Sequence, residues 1–128
     1  MSIAVYWNDD TQTLLYYQVP PTWTWADLDQ AMRQGHTMIA TVDHPVHSVL
    51  DFRQCQHLPT GQTLNGQAGR WTWQPNAGQS FFVASSRYLH SLFAVLSTAY
   101  PQLNQQTVLV NTLGEARLYL SDLGCVLP

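Results

Sequence analysis

The sequence predicts an α/β fold: one domain spanning residues 1–128, with a five-stranded mixed sheet, an opening hairpin and about four helices in the order β-β-α-β-α-β-α-β-α. Three observations predict it. Two runs rich in β-formers, Ser2–Trp7 and Gln12–Val19, flank the turn residues Asn8-Asp9-Asp10-Thr11, as in an antiparallel hairpin. From Trp25 onward, segments with apolar residues at helical spacing alternate with short apolar runs. Such alternation implies parallel strands joined by right-handed crossovers.

Pro20-Pro21 ends the hairpin, because proline cannot donate to a strand ladder. Thr24 is placed as an N-cap, with Asp27 three residues on. Trp25, Leu28, Met32 and Ile39 form the stripe of a helix over 25–40, interrupted by Gly35. After the turn Asp43-His44-Pro45, Val46–Phe52 reads as a short central strand that carries Asp51 at its C-terminal edge. In open α/β sheets ligands sit at that edge.

Within 53–76, Leu64, Ala68 and Trp71 have helical spacing, but Gly61, Gly66 and Gly69 each oppose a helix by about 1 kcal/mol relative to alanine. A helix is still expected there, followed by a loop over 74–78. Ser80–Ala84 is the next buried strand, and Ser85 or Ser86 caps a helix whose wide apolar face is Tyr88, Leu89, Leu92, Phe93 and Leu96. That helix stops before Pro101. Thr107–Val110 is the last strand. Thr112 and Glu115 have capping-box spacing at the final helix, Leu113, Ala116, Leu120 and Leu123 form its stripe, and Gly124 suits its C-terminal stop.

Composition excludes several functions. The chain has 5 Lys+Arg against 8 Asp+Glu, no lysine and a net charge of -3. Its scattered arginines leave no electrostatic footprint for nucleic acid. No apolar run approaches the roughly 18 residues of a membrane span. The N-terminus has no basic region of the signal-peptide kind, and the 2 cysteines, Cys55 and Cys125, fit a reducing cytoplasm. The charged fraction is 10%, against about 25% in typical domains. So few charges, with 5 Trp and 6 Tyr, predict self-association, a homodimer first, or a protein partner.

The candidate binding residues are Asp51, Trp23, Trp25, Trp71 and Trp73. Each Trp-Thr-Trp stretch would present two indoles on one side of an extended chain, as a platform for a small apolar ligand; otherwise one indole packs in the core and the other at a rim or interface. Asp51 either binds or caps the segment after its strand. Cys55 with His57 or His47 could make a nucleophile–base pair, and Asp51 with one of these histidines an acid–base pair, but an idle buried thiol and turn histidines are the commoner outcomes. His44, His47, Cys55 and His57 match no standard zinc spacing. No metal and no cofactor are expected, and no catalysis.

The opening hairpin, Trp23-Thr24-Trp25 with Asp27, Val49-Leu50-Asp51, Gln74-Pro75-Asn76 and Thr112-Leu113-Gly114-Glu115-Ala116 together resemble the STAS/SpoIIAA-like family. This family includes bacterial anti-sigma-factor antagonists and a lipid-associated branch. The resemblance covers nearly the whole chain and implies a regulatory, protein-interaction or ligand-sensing domain, usually without catalysis; its lipid-associated branch implies a binder of a small apolar ligand or lipid. The chain departs from the antagonist pattern at one place. A phosphorylatable Ser or Thr follows the aspartate in antagonists, whereas Phe52-Arg53-Gln54-Cys55 follows Asp51 here. Binding is therefore expected to be constitutive rather than phospho-switched.

Overall fold

The structure is a computed structural model that describes residues 3–59, 74–99 and 103–127. Five strands, β1 (Ala4–Trp7), β2 (Leu14–Gln18), β3 (Val46–Asp51), β4 (Ala77–Val83) and β5 (Thr107–Val110), form one sheet in chain order. β1 pairs antiparallel with β2, and every later neighbour is parallel. The helices are α1 (Trp25–Ile39), α2 (Ser86–Ala99), the four-residue α3 (Leu103–Gln106) and α4 (Leu113–Asp122). The α/β class and the mixed five-stranded sheet are as the sequence predicts. The helix expected within 53–76 falls largely on residues outside the described set, and the described part of that span before Thr60 forms turns.

Side chains alternate between two faces. Leu15, Tyr17, Val46, Leu50 and Phe82 join α1 and α2 in the larger core. Leu14, Tyr16, Val49, Phe81, Val83 and Val110 meet α4 on the other side. α1 and α2 lie in connections between strands, whereas α4 follows the last strand and is free to fold back over the opposite face.

Local chemistry sets the helix ends. The Thr24 hydroxyl accepts from the Asp27 amide at 3.1 Å, and the Asp27 carboxylate accepts from the Thr24 amide at 2.9 Å, a complete capping box. The glycine that interrupts the α1 stripe is a point of contact: a Cβ at Gly35 would lie 1.8 Å from the Tyr17 hydroxyl, so the missing side chain lets α1 settle on β2. Ser85, rather than Ser86, caps α2 by accepting from the Tyr88 amide.

At α4 the expected capping box is shifted by one residue. Thr112 accepts from the Glu115 amide, but Glu115 reaches back to the amide of Asn111. The helix closes in a Schellman arrangement, with the Cys125 amide bonded to the Leu120 carbonyl and Gly124 at φ 82°.

β4 begins earlier than expected, at Ala77, because a bulge lies inside it. Val46 pairs with Ala77 but Ser48 with Ser80, so β4 carries one extra residue. The bulge frees the Gln79 amide, and Nδ1 of His47 accepts it at 2.9 Å. Asn76 ties the ends of this region together: its side-chain amide donates to the carbonyls of Ile39, Val42 and His44.

Candidate functional site

The central strand ends in a buried carboxylate. Asp51 is 1% exposed. Its Oδ1 accepts from Nε of Arg53 at 3.0 Å and from the Arg53 backbone amide at 3.1 Å. Its Oδ2 accepts from Nη2 of Arg53 at 2.9 Å and from the Tyr16 hydroxyl at 2.5 Å. A fork-to-fork pair of this kind fixes the guanidinium in orientation as well as in place. Burial alone would raise the Asp51 pKa, but the bonds from Arg53 and Tyr16 outweigh it and hold the carboxyl below its ordinary value. Burial, and then the bond to Asp51, push Tyr16 above the usual phenol range. Tyr6 stacks on Tyr16 with ring centroids 5.5 Å apart and closes the corner on the β1 side. With both oxygens doubly engaged, Asp51 holds geometry and is not poised to exchange protons.

That geometry shapes the segment that follows. The Phe52 amide donates to the Val83 carbonyl, and the Cys55 amide to the Phe52 carbonyl. The Cys55 thiol donates to the Pro20 carbonyl at 3.2 Å. Phe52 turns to the larger core, where it meets Trp23, Phe82 and Tyr88 at ring-centroid distances of 5.7, 5.8 and 5.9 Å. The chain is thus pinned on both sides of Arg53, and Gln54, Gln56 and His57 project from a held turn.

Facing this turn across a cleft of ≈ 780 Å³ is the segment Pro21–Thr24, which leads into α1. The cleft opens at the C-terminal edge of β2 and β3, where open α/β sheets bind ligands. Beyond Gln56, His57 and Leu58 lies a smaller cavity of ≈ 340 Å³ that reaches Arg87 at the start of α2.

The predicted site residues are dispersed. Asp51 is at the strand edge but turned away from the cleft lining, toward Tyr16 and Arg53. Trp23 and Trp25 are core residues, 4% and 5% exposed, packed edge to face at 5.1 Å. The extended-chain platform fails for this pair because Trp25 is the first residue of α1 and Trp23 precedes its cap. The Trp23 indole donates to the Tyr88 hydroxyl at 3.2 Å, whereas the Trp25 indole N–H finds no acceptor among the described residues. Trp71 and Trp73 lie outside the described residues.

The chemical pairs weighed from sequence do not assemble. His47 lies four residues before Asp51 on one strand, about 13 Å away at strand rise, and its Nδ1 is engaged by Gln79. His57 lines the cleft while the Asp51 carboxylate is sealed. Burial raises the Cys55 thiol above its ordinary pKa, which works against a thiolate nucleophile. Among the described residues no group of three or more His, Cys, Asp and Glu could hold a metal ion.

Sequence reasoning missed Arg53, Tyr16, Thr22, Gln54 and Gln56. The Asp51–Arg53 spacing could have signalled their pairing, because residues two apart in extended chain share a side. Nothing local could have supplied Tyr16, which is brought in by strand register. Compared with protein-family models, curated proteins and solved structures, the chain matches none.

Proposed function

We propose that the chain is a STAS-like protein-interaction module that works without catalysis and without a phospho-switch, and that it pairs with a second copy of itself. The observation that carries this reading is the outer surface of α4 and the residues after it. Leu118, Tyr119, Leu123 and Val126 are 72%, 51%, 44% and 74% exposed. Four large apolar side chains exposed within one short segment are what an interaction surface would supply, and only Glu115, Arg117 and Asp122 carry charge on this helix. The opening hairpin followed by parallel strands in chain order supports the family reading. The residue after Asp51 supports the constitutive reading, because Phe52 is 0% exposed and bears no hydroxyl.

The small apolar ligand or lipid reading loses two of its supports, since Trp23 and Trp25 are packed in the core. A reducing, cytoplasmic setting fits the two cysteines, both free and buried. No helix among the described residues is long and apolar enough to cross a membrane.

Light scattering at micromolar concentration tests the proposal. The wild-type chain of 14.5 kDa should run at about twice its mass, and the double variant Leu118→Asp/Val126→Asp at the monomer mass with an unchanged far-ultraviolet circular-dichroism spectrum. A wild-type monomer at every concentration overturns the self-association.

A further inference from the structure

We propose that the cleft between Pro21–Thr24 and Gln54–Pro59 binds an uncharged small molecule that presents hydroxyl or amide groups beside an apolar face. This goes beyond the interaction reading and does not depend on it, since the cleft lies at the sheet edge and its lining contains no residue of α4.

Size and position come first. The volume of ≈ 780 Å³ falls within the roughly 300–1,000 Å³ of small-molecule sites. Both walls are held before any ligand arrives. The capping box fixes one wall at Thr24. The bonds of Asp51 to Arg53, Phe52 to Val83 and Cys55 to Pro20 fix the other. A site whose walls are already ordered loses little conformational entropy on binding.

The lining decides the ligand class. Thr22, Thr24, Gln54 and Gln56 offer hydroxyls and carboxamides, which can donate and accept alike. Pro21, Leu58 and the rim of Trp23 supply the apolar surface. Among the described residues the lining contains no carboxylate, lysine or arginine, and the imidazole of His57 is their one titratable side chain. The nearby charges are committed elsewhere: Asp27 to the Thr24 amide, and Asp51 and Arg53 to each other. Arg87 lies in the smaller cavity beyond Gln56–Leu58. Among these residues a charged ligand would surrender hydration with only the His57 imidazole and the start of α1 to answer it, whereas a neutral polar one exchanges water for matched donors and acceptors.

The experiment uses pairs in which the second member differs by one added phosphate: methyl glucoside against methyl glucoside 6-phosphate, methyl N-acetylglucosaminide against its 6-phosphate, and uridine against uridine monophosphate. Saturation-transfer NMR on the full chain should show contact with at least one neutral member and a weaker or absent signal from its charged counterpart. Thr22→Val combined with Gln56→Leu should weaken that binding by about tenfold to a hundredfold, the scale of two lost hydrogen bonds. Both side chains are exposed, so the variant's melting temperature should stay that of the wild type. The proposal is overturned if no neutral member binds, if the charged members bind as well, or if the double variant binds unchanged.

Discussion

Both faces of the sheet bury an apolar cluster, but they differ at the edge of the central strands. On the face covered by α1 and α2, Phe52 sits at the centre of an aromatic cluster with Trp23, Phe82 and Tyr88. The opposing surfaces are apolar, and burial drives the packing. On the other face α4 buries only Ala116 and Leu120, against β4 and β5. The β1–β3 side of that face carries Tyr6, Tyr16, Asp51 and Arg53, joined by directed bonds. A face closed by burial tolerates polar neighbours poorly. The second face also buries Leu14, Val49, Phe81, Val83 and Val110, and the satisfied carboxylate at its β1–β3 edge holds a charged group there and orients the turn beyond it.

The largest expected effect tests the aromatic face. Phe52→Ala should destabilise the fold by about 3–5 kcal/mol in chemical denaturation, because the ring is fully buried. A loss below about 1 kcal/mol would mean the cluster does not hold that face together. Leu92→Ala should follow at about 2–5 kcal/mol, while Phe93→Ala should cost less, since Phe93 is only partly buried.

The next effect tests the polar edge. Asp51→Ala should cost about 3 kcal/mol, the low end for breaking a buried pair, because the side chain of Arg53 is 49% exposed and can turn to water. Urea titrations of Asp51→Ala alone, Tyr16→Phe alone and the two together should be non-additive, as expected for one network. Strict additivity would mean that the hydroxyl and carboxylate are not coupled.

Acid separates the groups further. Burial lowers the folded pKa of His36 and of His47 below the ordinary 6.5. The unfolded chain therefore takes these protons first, so their contribution is complete above 6.5 and declines as pH falls toward the folded values. The folded pKa of Asp51 lies below the ordinary 3.8. Its contribution is present above 3.8 and is lost as pH falls through the folded value. The denaturant midpoint should thus drop in two stages on acidification, and Asp51→Asn should flatten only the lower one. A variant that changes the upper stage would show that Asp51 reports on the histidines as well.

The smallest effect is on the exposed surface of α4. Leu118→Asp should shift the stability of the monomer, measured at a dilution where the wild type does not pair, by no more than about 0.5 kcal/mol while altering association at higher concentration. A large loss would show that Leu118 is packed in the monomer.

The sequence alone determined what short-range chemistry can specify. The hairpin follows from turn residues between β-formers, the start of α1 from the Thr24–Asp27 box, and the stop of α4 from Gly124, each decided within a few residues of chain. Alternating strand and helix patterns determined the sheet's parallel core for the same reason, since periodicity is written locally. Tertiary structure decided where distant positions meet. Tyr16 reaches Asp51 across 35 residues because β2 and β3 pair in one register. Gly35 looks like a helix breaker until Tyr17 is placed against it, and Gln79 needs His47 only because β4 carries a bulge. Trp23 and Trp25 are a pair on one face only if the chain stays extended, and α1 begins between them. Such contacts depend on register and close approach between elements, and no window of sequence contains both partners.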